Sequence, residues 1–121
     1  MPDSTRVLLY ITDRVLMKTL TEDLRREGYL VDRCESLETC EHINSFYDHD
    51  IAFIQIDQDD LDTIQAAASF VTPGARIVVL LNDQDPAVVE HLEMHGMQVA
   101  RFSDDSQELL KLLKEDESSV E

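Results

Sequence analysis

The chain has 121 residues, with 10 Lys and Arg against 26 Asp and Glu, a net charge of −16. That length holds one domain with a sizeable core, and 43% hydrophobic with 30% charged residues excludes wholesale disorder. No apolar run approaches the roughly 20 residues of a membrane span, MPDSTRVLLY lacks the charge order and small-residue site of a secretory signal, and the acidic balance argues against direct nucleic-acid binding, so a cytoplasmic protein is expected.

Apolar runs and helical periodicities alternate along the chain. RVLLYITD (6–13) reads as a short β-rich run with a polar end. In the following segment Val15, Leu16, Leu20 and Leu24 recur at helical spacing, and Gly28 stops the helix. YLVDR is a brief strand. Ser36 caps a helix that places Leu37, Cys40 and Ile43 or Asn44 on one face. IAFIQI (51–56) is almost wholly apolar, as a strand covered on both faces should be. DDLDTIQAAASFV reads as an acid-led helix ended by Pro73-Gly74. RIVVLL (76–81) is the next buried strand, and Asp85-Pro86 opens a helix through Val88, Val89 and Leu92 that ends at Gly96. MQVARF suits a sheet edge. Ser103 to Ser106 cap a last helix, QELLKLLK, after which EDESSVE (115–121) reads as a frayed acidic tail or linker start. Strict alternation of strands and helices implies βαβ units and a parallel sheet: a flavodoxin-like, doubly wound (βα)5 domain over residues 1–114, strand order 2-1-3-4-5.

The charge is unevenly placed. Residues 1–33 carry six bases and six acids, whereas 34–75 contain no Lys or Arg and sum to −9, and 76–121 supply −7. A solvated, solubilising surface explains any single acidic run, and an Asp-rich, Lys-poor surface also suits a high-salt cytoplasm. Cys34 and Cys40 have no C-x-x-C spacing and read as structural thiols.

In a doubly wound fold, ligands gather at the carboxyl ends of the strands. Those ends read Thr12-Asp13, Gln55 to Asp57, Leu81-Asn82-Asp83 and Arg101-Phe102-Ser103. No Gly-rich loop follows the first strand, which removes the usual dinucleotide and P-loop readings, and no nucleophile with a partnered His appears, so an enzyme is not expected.

RVLLYITD, REGYLV, DIAFIQI, RIVVLLND and HGMQVARFSDDSQELLKLL together resemble the receiver domain of response regulators over almost the whole chain. The resemblance implies an aspartyl-phosphate switch: two acids after the first strand holding Mg²⁺, a phospho-accepting Asp ending the third, a Ser or Thr after the fourth, and a Lys after the fifth. The cation neutralises phosphoryl oxygens while Lys and hydroxyl complete the anion's cage. The chain departs from this pattern. Thr12-Asp13 leaves one metal carboxylate; Gln55 holds the ungapped acceptor position; Leu81 holds the Ser/Thr position; Arg101, or Phe102 after a one-residue deletion, stands near the Lys position. These substitutions describe a pseudo-receiver without cofactor. The alternative shifts the third strand by two residues, making Asp57 the acceptor and letting Asp13 and Asp57 share Mg²⁺.

The resemblance implies a protein–protein interaction module in signalling or transcriptional control, binding a protein partner or a second copy through the fourth helix, fifth strand and fifth helix. Val89, His91, Arg101, Phe102 and Lys111 are the candidate contacts. A further alternative is an acidic decoy of a basic nucleic-acid-binding partner. His91 and His95 have metal-ligand spacing, and Asp57, Asp59, Asp60 and Asp62 superficially suggest a calcium loop; paired surface histidines and a solvated acidic loop without its central Gly are the plainer readings.

Overall fold

The apolar run after Thr5 forms β1 (Arg6–Ile11), buried from Val7 onward. The computed structural model describes residues 5–56, 60–83, 85–102 and 106–118. In chain order the remaining elements are α1 (Arg14–Arg26), β2 (Leu30–Cys34), α2 (Leu37–Asn44), β3 (Ile51–Gln55), α3 (Leu61–Phe70), β4 (Arg76–Leu81), α4 (Pro86–Met94), β5 (Gln98–Arg101) and α5 (Ser106–Ser118). The strands form one sheet in the order β2-β1-β3-β4-β5. Every pairing is parallel, as the alternation of strands with helices requires.

Two apolar layers sandwich the sheet. Val7, Leu9 and Ile11 point to the side covered by α1 and α5, where they meet Leu16, Leu20, Leu24, Leu109, Leu110 and Leu113. Leu8 and Tyr10 point the other way, toward Cys40 of α2, Ile64 and Ala67 of α3 and Leu92 of α4. This two-sided burial is why β3 is buried at every position, whereas β5, at the edge, is only half-buried and ends exposed.

The helix boundaries follow local chemistry. Asp13, Ser36, Asp60 and Asp85 each turn a side-chain oxygen onto a first-turn backbone N–H. At the other end of α1, Gly28 takes φ = 96° and lets the chain leave toward β2, while the Tyr29 N–H returns to the Leu24 carbonyl. One boundary differs from the sequence reading: α5 continues through Ser118, past Lys114. Neither Gly nor Pro follows Lys114, so no backbone break stops the helix within EDES. The proposed Ser103 cap lies outside the described residues.

Parallel register fixes which residues share an edge. Ile11 is level with Gln55, and Leu81 with Arg101. The strand ends that carry the candidate site therefore lie together at the carboxyl edge of the sheet.

Candidate functional site

At the centre of that edge stands Gln55, the last residue of β3 and only 1% exposed. Its Oε1 accepts from the backbone N–H of Asp13 at 3.0 Å, the backbone N–H of Thr12 at 3.2 Å and the Thr12 hydroxyl at 3.3 Å. The Thr12 N–H also donates to the Gln55 carbonyl at 3.0 Å, extending the β1–β3 pairing by one residue. A neutral amide thus ties the end of β3 to the turn into α1, with its oxygen held by three donors. The Asp13 side chain caps α1: its Oδ1 accepts from the Leu16 N–H at 2.9 Å.

On the far side of β3, Leu81 is fully buried in the layer beneath α2, α3 and α4. Its carbonyl accepts from the Phe102 N–H at 2.8 Å. Phe102 packs on the opposite layer, while Arg101 is exposed at the end of β5. Thr12, Asp13 and Gln55 are brought together; Leu81 presents no polar side chain, and Arg101 ends the neighbouring pair of strands. Asp57, the alternative acceptor, lies outside the described residues, as does Asp59 of the acidic loop.

The interface candidates are divided between surfaces. Lys111 and Arg101 are exposed. Val89 packs on the layer beneath α4, and His91 is half-buried with its Nε2 against the side-chain amide of Gln65 on α3. His91 therefore faces α3 rather than β5 and α5. Its ring also lies 4.5 Å from that of His95, whose Nδ1 approaches the His91 carbonyl at 2.8 Å.

A second polar cluster escaped the sequence reading. Asp32 on β2 accepts from Arg6 Nε at 2.7 Å and lies 2.8 Å from Nε2 of His49, whose side chain is completely buried in the loop before β3. His49 Nδ1 stands 3.1 Å from Asn44 Oδ1, and the Asn44 amide nitrogen donates to the Cys40 carbonyl at 2.9 Å and to Cys40 Sγ at 3.4 Å. Burial pushes the Asp32 carboxyl up, but hydrogen bonds from Arg6 and His49 overturn that and hold it below the ordinary carboxylate range. Cys34 and Cys40 are free, buried thiols. A hydrogen bond with Cys40, then burial, raises Cys34; the same contact lowers Cys40. The signal for this cluster is long-range: Arg6, Asp32 and His49 are joined across sequence separations of 17 and 26.

No family model and no curated protein matches the sequence. Solved structures do. A CheY-like receiver domain protein from Methanospirillum hungatei JF-1 superposes with a TM-score of 0.79 at 16% identity, covering 94% of each chain. A response regulator from Burkholderia pseudomallei, solved with a phosphorylated aspartic acid, calcium ion and citrate, gives 0.72 at 20% identity, over 98% of this chain and 71% of that one. An orphan response regulator of H. pylori gives 0.68 at 19% identity, over 92% and 94%.

The chain has the receiver-domain fold. A divalent cation in a receiver needs converging carboxylates, and the described residues do not fit one: Gln55 is an amide, Thr12 a hydroxyl, and Asp13 is committed to the α1 cap. Among the described residues no three His, Cys, Asp or Glu side chains group as a metal site. Nor is any helix among them long and apolar enough to cross a membrane.

Proposed function

We propose that this receiver-fold domain is a phosphorylation-independent protein–protein interaction module of cytoplasmic signalling or transcriptional control. The observation that carries the proposal is the Gln55 amide, buried at the end of β3 with its oxygen engaged by Thr12 and Asp13. An amide at that position forms no acyl phosphate, and its hydrogen bonds link β3 to α1 without a phosphoryl group. Leu81 adds bulk where a hydroxyl would be needed to read a phosphoryl oxygen. With the switch chemistry replaced by fixed contacts, what the domain offers is a constant surface. Arg101 and Lys111, exposed cations on β5 and α5 of an acidic molecule, are the contacts we assign to a protein partner or a second copy. The module is not an enzyme, and its buried, unlinked cysteines suit a reducing compartment.

Incubation with a small phosphodonor and Mg²⁺, followed by intact-mass measurement, tests the proposal. The expected result is no phosphoryl adduct. An adduct on the wild type that Asp57→Asn abolishes overturns the proposal in favour of an Asp57 switch.

A further inference from the structure

A groove of about 360 Å³ opens between α1 and β2, lined by Arg14, Met17, Lys18, Arg33 and Glu35. Its charge is opposite to that of the molecule. Three cations and one carboxylate sum to +2 there, on a chain whose total is −16 and whose residues 34–75 contain no Lys or Arg.

The convergence is set by the fold. Arg14 and Lys18 are four residues apart on α1 and so share one face. Arg33 follows Val31 by two positions on β2, and Val31 packs on the α1 side of the sheet, so Arg33 points to that side too. Among the described residues none of these three cations forms an ion pair or hydrogen bond, and Glu35 shares the groove without pairing to them. At physiological ionic strength, charges beyond about 8 Å are largely screened, so the groove's own +2 outweighs acids farther off than that.

We propose that this groove binds a small phosphate ester of nucleoside-monophosphate size. The phosphoryl group carries about −1.5 to −2 at neutral pH, which matches the excess positive charge, and its oxygens accept from the two guanidinium groups and the ammonium. Glu35 is the acceptor for hydroxyl or amino groups on the ester's body, and the Met17 side chain supplies apolar contact. The volume lies at the lower end of small-molecule sites, roughly 300–1,000 Å³, which favours a monophosphate over a larger dinucleotide.

Amide-resolved NMR titrations with adenosine 5′-monophosphate, inorganic phosphate and adenosine test this. The nucleotide is expected to give saturable shifts clustered on residues 14–18 and 33–35, with phosphate weaker and adenosine silent. Arg33→Ala and Lys18→Ala, on separate elements, should each weaken nucleotide binding by about three- to tenfold, as loss of a solvent-exposed charged contact does. Arg25→Ala, at an exposed cation of α1 outside the groove, should leave it unchanged, and circular dichroism melts establish that each variant is folded. Absence of saturable shifts at the groove overturns the proposal, as does unchanged affinity in both folded groove variants. Equal affinity for phosphate and nucleotide overturns the assignment of an ester body, and binding of adenosine alone overturns the role of the cations.

Discussion

Gln55 shows how one buried side chain can tie the end of a strand to the turn that follows its neighbour. Its oxygen accepts from two backbone N–H groups and a hydroxyl, in a position only 1% exposed. Gln55→Ala leaves the Asp13 N–H without that acceptor and is expected to cost about 1–3 kcal/mol, read as a lower urea midpoint. Gln55→Met keeps most of the volume without the acceptor and should cost nearly as much; a much smaller loss than that of Gln55→Ala would show that volume rather than hydrogen bonding matters there. Asp32 has a pH signature. Its folded-state carboxyl lies below the ordinary value because of Arg6 and His49, so its contribution is complete above the unfolded value of about 3.9 and is lost as pH falls through the folded one. Urea unfolding of the wild type should therefore lose stability on acidification in that window, and Asp32→Asn should flatten the loss. Parallel profiles would remove Asp32 from the account. That Gln55 stands at the end of the third strand was legible in sequence, because the apolar run IAFIQI leads up to it. The Arg6–Asp32–His49 cluster was not, because β1, β2 and the loop before β3 meet only in the folded molecule and leave no local periodicity.

Among the elements, β3 and β4 were the most readable, since a strand covered on both faces declares itself as an unbroken apolar run. β5 was readable as an edge because its apolar content falls. The end of α5 was misread: acidic residues look solvated in sequence, but exposure is compatible with a helix, and only a backbone break would have stopped it. The α1 cap gives a direct test of element-level reasoning. Asp13→Ala removes the acceptor for the Leu16 N–H and is expected to lower stability by about 1 kcal/mol, measured by chemical unfolding. A larger loss would mean that Asp13 also stabilises the Gln55 contacts. The far end of α1 is held to α5 by Asp23, which accepts from the Ser106 hydroxyl and from the Gln107 amide. This contact couples the first and last helices of the chain, and the groove cations Arg14 and Lys18 sit at the opposite end of the same α1.

At the scale of the whole molecule the −16 charge is a matter of distribution. The stretch from 34 to 75, without Lys or Arg, holds α2 and α3, on one side of the sheet, while α1 and its cations lie on the other. Self-repulsion among the acids opposes compaction, so added KCl should raise the melting temperature by screening it; a flat or falling profile would show that the acids are already compensated. The central claim is that the end of β3 takes no phosphoryl group, and among the described residues that end carries the neutral Gln55 amide. The most direct measurement is an amide NMR spectrum of the wild-type chain with and without beryllofluoride and Mg²⁺, a stable mimic of an aspartyl phosphate. The account predicts unchanged resonances for Thr12, Asp13, Gln55 and Leu81. Saturable shifts at those residues, carried on into β5 and α5 and abolished by Asp57→Asn, would contradict it.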